Sequence, residues 1–145
     1  MKKRILAVVL LISFFAVFSI SSEASAQSGS PTLKVTATKS VKPGATGTLT
    51  IKFKHGSKVK IPQEPTIEVS ITGDGITGSG SPILKADEDG YIKNSTIKYK
   101  FKVSSNATSG STIQITGTVK FGYCSTETGT CKMGNQSFTT SVKIK

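Results

Sequence analysis

Apolar and polar residues alternate with a period of two in six separate stretches of this chain, which restricts it to strands with one buried face. Leu33, Val35 and Ala37 alternate with Lys34, Thr36 and Thr38, and Leu49, Ile51 and Phe53 with Thr50, Lys52 and Lys54. Ile67, Val69 and Ile71 flank Glu68 and Ser70; Ile97, Tyr99, Phe101 and Val103 flank Lys98, Lys100 and Lys102. Ile113 and Ile115, then Val119, Phe121 and Tyr123, continue the pattern, and Phe138, Thr140, Val142 and Ile144 close it. No apolar stripe at helical spacing is long enough to argue for a helix. Turn chemistry separates the runs: Lys42-Pro43-Gly44, Gly73-Asp74-Gly75, Asp89-Gly90 and Ser109-Gly110. Short strands at this spacing predict an all-β fold, an immunoglobulin-like antiparallel β-sandwich of seven to eight strands. Residues 76–94 are the least regular part, read as a strand near Ile83-Leu84 and a long surface loop.

The start of the chain follows a different rule. Lys2, Lys3 and Arg4 precede an apolar stretch over 5–20 broken only by Ser13 and Ser19, and Ala24-Ser25-Ala26 ends the polar segment behind it. Positive, apolar and small-residue regions in that order predict a secretory signal peptide over 1–26, cleaved after Ala26, rather than a membrane anchor. One domain over 27–145 is then expected, with no membrane span after cleavage. It is expected to be monomeric and exported, in an oxidising compartment. The formal charge of +11 loses three cations and one acid with the leader and becomes +9, carried entirely by lysine because Arg4 is the sole arginine.

Most of those lysines fall on the polar side of strands, as Lys52, Lys54, Lys98, Lys100 and Lys102 do. Lysine there keeps a small β protein soluble and discourages edge-to-edge pairing. Nucleic acid is not expected as a partner, since arginine forks are lacking and the aromatics share the apolar side of the strands. A solvated lysine face is the favoured reading, with weak adhesion to acidic surface polymers as the alternative. His55 is read as a loop residue, with no nucleophile or second ligand at useful spacing. Asp87-Glu88-Asp89-Gly90 lacks the ligand spacing of a calcium loop and is read as an acidic surface loop. No metal and no cofactor is expected.

Cys124 and Cys131 remain, separated by Ser125-Thr126-Glu127-Thr128-Gly129-Thr130 and placed between the strand over 119–123 and the strand over 137–144. A hairpin brings such residues within disulfide range. Loop-closure entropy gives a bond around eight residues about 2.5 kcal/mol. Two readings stay open: a permanent staple on a loop, and an exposed redox pair that a partner thiolate can reach.

The run Gly117-Thr118-Val119-Lys120-Phe121-Gly122-Tyr123-Cys124, then Cys131 and the strand over 138–144, resembles the end of the N-terminal periplasmic domain of DsbD-type thiol:disulfide interchange proteins. Val41-Lys42-Pro43-Gly44 and Thr48-Leu49-Thr50-Ile51 are similar to that family's first turn and second strand, so the likeness spans nearly all of 32–145. The resemblance implies an immunoglobulin-like domain that relays electrons by thiol–disulfide exchange. It implies Cys131 as the partner-facing thiol, with Lys132 favouring its thiolate, and Cys124 as the resolving one. A cap within 86–94 would shield the pair, Tyr91 being its one aromatic. Implied partners are thioredoxin-fold or other exported thiol proteins, with a separate membrane electron carrier as source. The chain departs from the family where Lys132-Met133-Gly134 replaces prolines, and where Asp89-Gly90 stands in place of an aromatic cap.

Overall fold

The structure is a computed structural model that describes residues 29–145; the leader over 1–26 and its cleavage site lie outside them. In chain order the strands are β1 (Thr32–Ala37), β2 (Ser40–Val41), β3 (Thr46–Lys54), β4 (Val59–Lys60) and β5 (Glu68–Thr72). They continue with β6 (Ile76–Ile83), β7 (Thr96–Val103), β8 (Thr112–Ser125) and β9 (Cys131–Ile144), a 3-10 turn over Lys93–Ser95 leading into β7. One sheet has the order β1-β3-β7-β6 and the other β2-β9-β8-β4, with β5 also on β8. Counting β1 with β2, and β4 with β5, as two interrupted strands leaves seven, in the order of an immunoglobulin constant-type sandwich. The interruption after β1 moves the chain from one sheet to the other, where β2 pairs parallel with the end of β9.

The alternation in the sequence maps directly onto the two inner faces. Leu49, Ile51 and Phe53 of β3 and Ile97, Tyr99, Phe101 and Val103 of β7 are buried. Ile115, Val119 and Phe121 of β8, with Val142 and Ile144 of β9, meet them from the other sheet. Phe53 and Phe121 pack edge to face across the two layers at 4.7 Å between centroids, a favoured aromatic geometry. Apart from the Tyr99 hydroxyl, no charged or polar side-chain group is buried among the described residues, so the core is built from apolar contacts.

The turns behave as their residues require. At Lys42-Pro43-Gly44, Ala45 N–H donates to Lys42 O (3.1 Å) and Gly44 takes φ of 76°, a conformation that glycine adopts without a side-chain clash. Two expectations need correction. Residues 76–83 form a full edge strand rather than a short one near Ile83-Leu84, with an irregular register between Ser79 and Ile83. The last strand begins at Cys131 and not at 137.

Both misreadings have one cause. The inward side of β6 carries Gly78, where an added Cβ would meet Tyr99, and the inward side of β9 carries Gly134, where it would lie 2.7 Å from Phe121. A neighbouring strand's ring fills the space that an apolar side chain would otherwise claim, so the period of two vanishes from the glycine-bearing strand.

Candidate functional site: a covered disulfide on the outer sheet face

The β8–β9 hairpin sets the position of both cysteines. Along β8 the pleat turns Val119, Phe121 and Tyr123 toward the core and Lys120, Gly122 and Cys124 away from it. Cys124 is the register partner of Cys131, and Gly122 that of Met133. Ser125 N–H donates to Thr130 O at 2.9 Å, which makes the next pair inward a non-hydrogen-bonded one, where opposed Cα atoms come closest. The two Cα atoms are 4.0 Å apart and the sulfurs are bonded as a disulfide. The pair thus terminates a regular ladder on the outer face of the sheet and does not sit in a loop.

An outward cysteine should be exposed, yet Cys124 is only 7% exposed while Cys131 is open to solvent. Two segments produce the difference. The chain leaving β4 lays Pro62 and Pro65 over Gly122, where an added Cβ would lie 3.1 Å from Pro65 Cδ. Against that segment docks the turn over 87–91: Gln63 N–H donates to Gly90 O (2.9 Å) and Ile92 N–H to Ile61 O (2.8 Å).

Asp87 shapes this turn, its Oδ1 accepting from Asp89 N–H (3.1 Å) and Tyr91 N–H (2.8 Å), the local bonding typical of aspartate in turns. Lys60, opposite Cys124 in register, places its ammonium 4.6 Å from the centre of the Tyr91 ring and 4.0 Å from Asp89. Together Pro62, Pro65, Tyr91, Met133 and both cysteines line a surface hollow of about 430 Å³. Met133 is 63% exposed, a flexible apolar side chain beside the sulfurs.

Several sequence expectations can be placed on this geometry. Asp89, Gly90 and Tyr91 border the same hollow as the cysteine pair. Lys132 is the register partner of Tyr123, on the alternate side of the pleat from Cys131, and it also lines the hollow; the lysine opposite Cys124 in register is Lys60. His55 is half-buried, with Nε2 2.6 Å from Ser95 Oγ and Nδ1 2.9 Å from Gly56 O, which ties the end of β3 to the 3-10 turn. That contact joins residues 40 apart and had no signal in the sequence. Lys60, Pro62 and Pro65 likewise carry no local signal of their place at the disulfide; the one available cue is glycine at 122 between Phe121 and Tyr123. Among the described residues no group of three or more His, Cys, Asp or Glu could hold a metal, and no helix is long and apolar enough to cross a membrane.

No family model and no curated protein sequence matches the chain. Among solved structures, it is similar to the sixth cohesin of scaffoldin B from Acetivibrio cellulolyticus, solved in complex with a Cel5 dockerin: 14% identity, TM-score 0.43, 79% of this chain and 99% of that one. It is also similar to the cohesin module of a family 33 glycoside hydrolase from Clostridium perfringens: 15% identity, TM-score 0.40, 81% and 96% covered. A third likeness is to BcpA, the major pilin subunit of Bacillus cereus, at 14% identity and TM-score 0.38, covering 78% of this chain and 40% of that one.

Proposed function

We propose that this domain is an exported thiol–disulfide exchange module of the bacterial periplasm or cell envelope, working through Cys124 and Cys131. The observation that carries the reading is the unequal exposure of the two cysteines: Cys131 is exposed, while Cys124 is 7% exposed beside the segments over 62–65 and 87–91. An incoming thiolate would therefore attack Cys131. The Cys124–Cys131 bond breaks as the mixed disulfide forms, and Cys124 leaves as a thiolate that takes up a proton.

A second thiol of the same partner then attacks the mixed disulfide and releases Cys131 as a thiolate. The partner dithiol has become a disulfide and the domain a dithiol, a transfer of two electrons and two protons. In the opposite direction Cys131 attacks a partner disulfide and Cys124 resolves the intermediate. Partners of matching chemistry are thioredoxin-fold or other exported thiol proteins, with a separate membrane carrier as the electron source. The turn over 87–91 would act as the cap, with Met133 and Tyr91 as the apolar contacts a docking partner meets.

The test is a trap. With Cys124→Ala expressed in the native envelope, Cys131 is expected to accumulate as a mixed disulfide with one exported thiol protein, and Cys131→Ala to accumulate none. A Cys124→Ala domain that captures nothing, together with a wild-type reduction potential below about −300 mV, would leave the bond as a permanent staple.

A further inference from the structure

The cysteines occupy one sheet; the charge is concentrated on the other. On the outer face of the β1-β3-β7-β6 sheet the registers place Lys34 opposite Lys52, Thr32 opposite Lys54, and Thr50, Thr48 and Thr46 opposite Lys98, Lys100 and Lys102. All six lysines are exposed. None of β1, β3, β6 or β7 carries an Asp or Glu. The ion pairs found among the described residues, Lys58–Glu127, Lys60–Asp89 and Lys120–Glu68, all lie outside these four strands and leave the six lysines unpaired there.

The six also form a line. Two-residue steps along a strand are about 6.7 Å, and diagonal neighbours on adjacent strands about 7–8 Å. Lys54, Lys52, Lys98, Lys100 and Lys102 are joined by such steps, with Lys34 beside Lys52. Threonine hydroxyls stand between them on β3 and β7. Like charges directly opposed destabilise a strand pair, so Lys34 against Lys52 costs the fold something that solubility alone does not require.

We infer that this face docks a linear phosphodiester polymer without bases, of the poly(glycerol phosphate) kind, laid along the track from Lys54 to Lys102. The fit is one of charge and repeat: one ammonium meets each phosphate, at a spacing close to one three-carbon phosphodiester unit, with threonine hydroxyls donating to phosphate oxygens. Lysine binds phosphate as a point charge and needs no planar fork. The same face favours this occupant over nucleic acid, because it offers no aromatic ring on which a base could stack. A bilayer is disfavoured as well, since Ile83, 50% exposed beside Lys98, is its one large exposed apolar side chain. The inference is independent of the disulfide chemistry, which uses the other sheet.

Binding of the mature domain to a synthetic oligo(glycerol phosphate) long enough to cover the track tests this. Releasing counterions from about five phosphates, each contributing roughly 0.7 to the slope as for single strands, predicts affinity falling about 100-fold between 50 and 200 mM salt. The triple variant Lys98→Gln, Lys100→Gln, Lys102→Gln should bind at least ten-fold more weakly, with a slope shallower by about 2. Lys120→Gln, Lys143→Gln, Lys145→Gln removes the same charge from the other sheet and the residue that follows its last strand, and should lose under three-fold. Equal losses in both triples would reduce the effect to net charge and overturn the assignment. Tighter binding to single-stranded DNA or to anionic vesicles than to the oligomer, or no binding at 150 mM salt, would overturn it too.

Discussion

Opening the Cys124–Cys131 bond should weaken the domain without unfolding it, and the size of the effect follows from the topology. The bond closes a loop of seven residues' separation, for which loop-closure entropy gives about 2.5 kcal/mol. That is an upper figure, because the hairpin register continues from Gly122–Met133 to Thr112–Lys143 without it, and Ser125 N–H to Thr130 O closes the turn independently. For a domain of this size the loss corresponds to roughly 10 °C in Tm. Urea unfolding of the oxidised protein, the reduced protein and Cys131→Ser would measure it, with the native near-ultraviolet signal retained in all three before the transition. An exchange module must remain folded in both redox states, so a reduced domain already unfolded in buffer, or a loss above about 5 kcal/mol, would refute the reasoning. That result would make the bond a structural requirement.

Three other outcomes follow from contacts described above. Gly134→Ala places a Cβ 2.7 Å from Phe121 Cζ, and the ring cannot retreat because Phe53 lies 4.7 Å away; a loss of about 1–3 kcal/mol is expected. Adding Phe121→Leu should recover part of that loss relative to the two single changes, and strict additivity in urea denaturation would contradict the ring-in-glycine packing. Gly122→Ala pushes on Pro65 at 3.1 Å, so the cover over Cys124 should lift. A small thiol should then attack Cys124 as well as Cys131, so that quenched mixed-disulfide adducts appear at both with stability changed by less than about 1 kcal/mol, and adducts confined to Cys131 would show that the prolines do not limit access. Asp87→Ala removes the acceptor for the Asp89 and Tyr91 amides; hydrogen exchange at the Tyr91 amide should speed at least ten-fold while the core amides of β7 stay protected.

How far the sequence could be read depended on where each strand's partner volume lay. β3 and β7 are legible because their own residues, from Leu49 to Phe53 and from Ile97 to Val103, fill the core beneath them. β6 and the first half of β9 are not, because Tyr99 and Phe121 reach across and occupy the places beneath Gly78 and Gly134. A register-paired disulfide fits the eight-residue hairpin spacing. Its cover could not be read, since 62–65 and 87–91 meet through the main-chain bonds of Gln63 and Ile92 to partners about thirty residues away.

The amino-acid pattern by itself determined the class of fold, the inward and outward assignment of most side chains, and the lysine character of the polar faces. Alternation is a local property of the backbone pleat, and it can be counted along the chain. Only the tertiary structure decided which cysteine is the more exposed, which lysine stands opposite Cys124, and that six lysines from three strands form one track without an acid among them. Those facts depend on register and on segments crossing over a sheet, and residues distant in sequence have no local signal by which to record who their neighbours will be.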